Sequence, residues 1–325
     1  MNIYIDKEFL DNFYLDWDQN NHSSEQKIIY DLLTKYPETS WYLNHPIPSM
    51  EDLEKIKQEN EIIAFKADYF VPISVESIKN SVFESNFEQE LVFMNKEEDW
   101  FDEAEKKGAL CFSFDNYKNK IKQIIQHHHF EIDLSEKNFP GWSILSSVLP
   151  MNSVILNDGY ILVDSDGQQI KDNLIPLLKG IFEHKRNNLC QVNILTHKLF
   201  NNGLDSTENL KSDAEKKLSI LNRAFGNYSV KFCIINNAIH LSSKKYTFDF
   251  HDRQLCSNFH IIESGKGFNL IPHKVSNSQV ISTTIFNLYT YKRLKNLRKI
   301  YQAYLGQMMK RDNSVTFDYV GKISN

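Results

Sequence analysis

Short apolar runs alternate with helix-spaced segments along almost the whole chain, and this alternation constrains the fold more than any other feature. NIYI (2–5), EIIAF (61–65), ELVFM (90–94) and ALCFSF (109–114) are brief and rich in β-branched or aromatic residues, which predicts buried strands. SEQKIIYDLLTKY (24–36) opens on a Ser-Ser cap signal, places Ile28, Ile29, Leu32 and Leu33 at helical spacing, and stops at Pro37. SMEDLEKIKQEN (49–60) and YKNKIKQIIQ (117–126) predict two further helices. The pattern pauses over 131–150, which contains Pro140-Gly141 and Pro150. It resumes with strand-like runs at 153–164, 191–197, 230–236, 246–255 and 258–264, and with helices near 170–184, 207–224 and 284–310. Strands alternating with helices predict an α/β fold, expected as two α/β domains over 1–145 and 146–325.

The charge divides at nearly the same place. Residues 1–150 carry 14 Lys and Arg against 28 Asp and Glu, while residues 151–325 carry 23 against 14. An acidic half and a basic half predict units with different tasks. The basic half is a candidate for binding a polyanion such as nucleic acid, and the acidic half for holding a protein partner. Mutual neutralisation across an interface is the competing explanation. Four widely spaced cysteines without a CxxC pair predict buried thiols in a reducing compartment. The N-terminus has no basic, apolar leader pattern, and no run is long enough for a membrane span. The expected location is cytoplasmic, and no cofactor is expected.

The stretch HDRQLCSNFHIIESGKGF (251–268) carries the most chemistry. On a strand, residues two apart share a face, so His251 and Arg253 are expected to point together with Asp252 opposite. An imidazole beside a guanidinium suits phosphodiester chemistry, one attacking and the other holding charge on the phosphoryl oxygens. Asn258 follows five residues after Arg253, and Gly265-Lys266-Gly267 predicts a turn. On YKRLKNLRKIYQAYLGQMMKR (291–311), Lys292, Arg293, Lys295, Arg298 and Lys299 occupy about two turns of one helix. Together with Lys266 they are candidate phosphate contacts. An amphipathic closing helix with a solvated basic face explains the same pattern.

The sequence H251-D-R253-QLCS-N258 resembles the HxK(x)4D motif of the phospholipase D superfamily. It is closer to the divergent members with a His-Asp-Arg signature, found at the C-terminus of some microtubule-interacting-and-trafficking proteins and in bacterial conflict proteins. NDGYILVDSDG, NLIPLLKGIF and VNILTH upstream are similar to that family's opening, and the likeness covers roughly 150–310. The resemblance implies a phospholipase D-like C-terminal domain with His251, Arg253 and Asn258 at its site. It also implies a place in a defence or mobile-element system. Two departures bear on catalysis: Arg253 stands for Lys and does not give up its proton near neutral pH, and Asn258 cannot act as a carboxylate. One motif copy is present, so an active site would need a homodimer. Three readings stay open: a degenerate site that binds nucleic acid or another phosphate-bearing partner, an active metal-independent phosphodiesterase using His251, and a protein-interaction scaffold.

In the acidic half, a first strand ending at Asp6 is similar to the opening of PIN-like nucleases. Glu8, Asp11, Asp99, Asp102 and Asp115 lie near expected strand ends, where carboxylates can hold a divalent cation. A solvated acidic surface is the simpler expectation. His127-His128-His129 follows a helix, and consecutive positions point apart, so no metal site is expected there.

Overall fold

A computed structural model describes residues 1–66, 70–84, 89–133, 141–145, 149–163, 166–183, 189–196, 207–236, 253–265, 267–268 and 279–310. The protein is of the α/β class. It divides into two compact units, the first formed by Met1–Gln126, Leu149–Asn152 and Phe286–Leu288, the second by His127–Val148, Ser153–Ile285 and Tyr289–Asn325.

The first unit contains β1 (Asn2–Asp6), α1 (Lys7–Asp16), α2 (Ser24–Lys35), β2 (Ser40–Asn44), α3 (Met50–Glu59) and α4 (Glu61–Lys66). There follow β3 (Phe70–Ile73), α5 (Val75–Glu84), β4 (Glu90–Met94), α6 (Phe101–Lys106), β5 (Leu110–Ser113) and α7 (Tyr117–His128). The five strands form one parallel sheet ordered β3-β2-β1-β4-β5. Parallel strands covered by helices read as continuous apolar runs, and every residue of β4 and β5 is buried. Ser23 caps α2 with a complete capping box, its hydroxyl accepting the Gln26 N–H and Gln26 reaching back to the Ser23 N–H.

EIIAF, expected as a strand, forms α4. Asn60 decides this locally. Its side-chain carbonyl accepts the Ile62 N–H at 3.0 Å and its backbone carbonyl accepts the Ala64 N–H at 3.1 Å, so a helix starts there. A five-residue apolar run has no periodicity of its own to oppose this. Ile62 and Ile63 remain buried.

The second unit contains β6 (Phe130–Asp133), β7 (Ser153–Asn157), α8 (Ile175–Phe182), β8 (Cys190–Thr196) and α9 (Thr207–Ala224). It continues with β9 (Val230–Asn236), β10 (Gln254–Cys256), β11 (His260–Ser264), β12 (Gln279–Thr284) and α10 (Leu288–Lys310). Its sheet is ordered β6-β12-β11-β10-β7-β8-β9. β7, β8 and β9 are parallel, whereas β10, β11, β12 and β6 pair antiparallel. β6 belongs to this sheet, so the second unit begins before the boundary expected at 145–146. Trp142 on a short 3-10 turn packs so closely on α8 that a Cβ at Gly180 would lie 2.2 Å from the Trp142 carbonyl.

All four cysteines are buried free thiols: Cys111 on β5, Cys190 on β8, Cys233 on β9 and Cys256 on β10. Burial pushes the Cys111 thiol well up and the Cys256 thiol up to about 12.

Candidate functional site

Strand register builds the site. β10 runs antiparallel to β7 with Gln254 opposite Asn157, so the preceding Arg253 lies beside the following Asp158. On its other side β10 places Gln254 opposite Glu263, and the Ser264 N–H donates to the Arg253 carbonyl at 3.0 Å. Arg253, Asp158, Ser264, Gly267 and Phe268 therefore meet at the C-terminal end of β7. In α/β sheets the carboxyl ends of parallel strands are where ligands bind.

Gly267 has φ +94°, a left-handed conformation that suits glycine. A Cβ there would sit 2.9 Å from Asp158 Oδ2 and 3.0 Å from Arg253 Cδ. The backbone thus passes close over the pair. Ser264 Oγ donates to the Gly267 carbonyl at 2.5 Å and fixes the turn.

Asp158 is buried, with Oδ1 accepting the Tyr160 N–H at 2.9 Å and Oδ2 the Phe268 N–H at 3.0 Å. Burial pushes its carboxyl above the ordinary range, opposed by those two N–H groups and by the Arg253 guanidinium. The loop after β7 is held from several sides. The Asp158 N–H donates to the Leu195 carbonyl and Thr196 Oγ1 to the Gly159 carbonyl, each at 3.1 Å. Lys217 of α9, only 2% exposed, donates its ammonium to the Leu162 carbonyl and pairs with Asp213 at 3.0 Å.

Arg253 is half-buried and uses little of its donor capacity on the described residues. Among the described residues its side chain makes one hydrogen bond, from Nη1 to the Gly265 carbonyl at 3.3 Å. Its Nε is buried without a hydrogen-bond partner among them. A guanidinium carries five N–H donors. The guanidinium lies 5.9 Å from the centre of the Tyr160 ring.

The other predicted residues are dispersed. Asn258 is fully buried beyond the opposite end of β10, where its side-chain carbonyl accepts the Ser153 N–H at 3.2 Å. It braces the start of β7 and does not join Arg253. His251 and Lys266 lie outside the described residues. On α10, Arg293 forms a two-pronged pair with Glu263, both contacts at 2.5 Å, and Gln254 adds a third bond to that carboxylate. Arg293, helped by Gln254, holds the Glu263 carboxyl below its usual range against the effect of burial. Arg298 donates to the Ser257 carbonyl at 3.1 Å, and Lys295 lies over the Tyr291 ring. Lys292 and Lys299 are exposed.

Of the histidine run, His127 is exposed while His128 and His129 turn toward the second unit's sheet. The His128 ring meets the fully buried His260 ring edge-on at 4.9 Å, His260 Nε2 lies 2.6 Å from Ser282 Oγ, and His129 Nε2 accepts the Thr284 N–H. Burial pushes His260 well below the ordinary imidazole range, and the two neighbouring imidazoles add to this.

In the first unit, Asp6 ends β1 where neighbouring β2 and β4 diverge in chain order. Its oxygens accept from Asn44 Nδ2 at 2.5 Å and from the Asn95 N–H at 3.0 Å. Glu8 is bonded to Asn95, and Asp11 to Lys7 and Asn60. Asp99, Asp102 and Asp115 are exposed. Among the described residues no three His, Cys, Asp or Glu side chains gather as a metal ion would require.

No protein-family model matches the chain, and no curated protein matches it in sequence. No helix among the described residues is long and apolar enough to cross a membrane.

Asp158 was not singled out from the sequence. Its signal is an Asp-Gly step directly after the apolar run SVILN, at the ligand-facing end of a parallel strand.

Proposed function

We propose that the second unit binds nucleic acid or another phosphate-bearing partner at the C-terminal end of β7, with Arg253 gripping the phosphate. One observation carries the reading. Of the three arginines singled out from the sequence, Arg293 and Arg298 are engaged by Glu263 and Ser257, whereas Arg253, at the end of the central strand β10, gives one side-chain hydrogen bond to the described residues. Guanidinium donors suit phosphate oxygens, and Gly267 admits backbone close beside them. The resemblance of 251–258 to the phospholipase D motif supports the same ligand chemistry, and the net positive charge of residues 151–325 supports a polyanion.

The test is binding of the full chain to a labelled oligonucleotide across a salt series. Arg253→Ala weakens binding by about 1.5–3 kcal/mol, the scale of a charge-assisted hydrogen bond. If Arg253, Lys292 and Lys299 supply the phosphate contacts, log K against log salt has a slope of roughly −2 to −3. Unchanged affinity in Arg253→Ala would remove this site from the reading.

A second reading, metal-independent phosphodiester hydrolysis, is favoured by Asp158. The carboxylate that the motif lacks at 258 has a counterpart beside Arg253, and its raised proton affinity suits acid–base work. Cleavage that survives EDTA and disappears in both His251→Ala and Asp158→Asn would make this the function. The expected result is binding without such cleavage.

A further inference from the structure

Tyr160 is 38% exposed although it sits in a loop anchored on every side. Its N–H is tied to Asp158, its carbonyl accepts the Val163 N–H, the preceding Gly159 carbonyl is held by Thr196, and Leu162 is held by buried Lys217. With the backbone already fixed by the fold, only the ring's own rotation is left to be ordered on binding. The ring also neighbours the Arg253 guanidinium, which gives one side-chain hydrogen bond to the described residues.

From this juxtaposition we infer that the site takes an unpaired nucleotide of single-stranded nucleic acid, its base stacking on Tyr160 while Arg253 holds an adjacent phosphate. The inference rests on the phosphate-binding reading above and names the substrate class of that site. Stacking platforms beside a cation are how proteins hold single strands without reading sequence, because every base offers a π-face. A base paired within a duplex has both faces covered by its neighbours and cannot stack on the ring. Arg253 lying 5.9 Å from the ring centre polarises the tyrosine and sets the phosphate-holding group a short step from the stacking surface. Asp158 does not oppose the ligand strongly, because it is buried behind Gly267 with both oxygens occupied by backbone N–H groups.

The experiment measures fluorescence anisotropy of the full chain with three labelled probes of equal length: a single strand, the same strand made abasic, and its duplex. The expected result is tightest binding to the base-bearing single strand. Tyr160→Ser should weaken that complex about tenfold or more and leave the abasic complex unchanged, while Tyr160→Phe keeps the wild-type preference. Arg253→Ala should weaken binding to all three. Equal affinity for base-bearing and abasic strands, or a Tyr160→Ser variant that folds and binds like wild type, would overturn the stacking inference. If Arg253→Ala still weakened all three probes in that case, the phosphate reading would survive alone. No response of any probe to Arg253→Ala would sink both.

Discussion

Arg253 and Arg293 share a side chain and a sign, yet the fold gives them different surroundings. Arg293 sits in a fork with Glu263 on β11, and both partners are about one-third exposed. Solvent screens such a pair, so Arg293→Met should cost only about 1–2 kcal/mol of stability, read as a lower denaturation midpoint. It should leave oligonucleotide affinity near wild type, in contrast with Arg253→Ala. Large loss of binding in a folded Arg293→Met variant would show that Arg293, despite its pairing with Glu263, meets phosphate. Sequence spacing could not separate these arginines, because Glu263 is remote from Arg293 in the chain and only strand pairing brings it to α10. Asn258 was misplaced for a related reason. Its distance of five residues from Arg253 spans the whole of β10, which puts the two at opposite ends of the strand.

Elements with their own caps or long apolar patterns were legible in the sequence: α2, α9, β4, β8 and β9 fall where their patterns indicate. Elements set by single polar groups were not. α4 depends on Asn60, whose buried side chain serves the Ile62 N–H with one end and Asp11 with the other. Its own N–H also closes α3 on the Ile56 carbonyl. Asn60→Ala should therefore destabilise the first unit by about 1–3 kcal/mol, more than an ordinary exposed cap, because a buried N–H and a carboxylate lose partners together. Denaturation monitored by far-ultraviolet circular dichroism checks this, and a loss below about 0.5 kcal/mol would contradict it. β2 and β12 carried too little contrast to be recognised alone, and they are identified by the strands that flank them. Of the candidate site, Arg253 was singled out in the sequence, while Asp158 was hidden in a run that reads as one long strand, although the strand ends at Asn157.

For the molecule as a whole, protonation and opening are separately readable. His260 is buried among His128 and His129, and its proton affinity is depressed, so the unfolded chain binds its proton more readily than the folded one. Its contribution to stability is complete above the unfolded imidazole value, about 6.5, and is lost as pH falls below that. Glu263 is depressed as an acid, so its contribution disappears at lower pH, below about 4.3. Urea midpoints should therefore begin to fall below about pH 6.5, and His260→Gln should flatten that first decline while sparing the second. A wild-type profile that stays level down to pH 5 would contradict this account of the histidine cluster. The four buried thiols offer a different kind of readout. Because none is accessible and burial disfavours the thiolates of Cys111 and Cys256, alkylation has to wait for the surrounding strands to separate. Cys111 belongs to the first unit and Cys190, Cys233 and Cys256 to the second, so adduct masses form a two-channel clock. Units that open independently will give one adduct and three adducts at different rates under native conditions, whereas a molecule that opens only as a whole will pass directly from none to four.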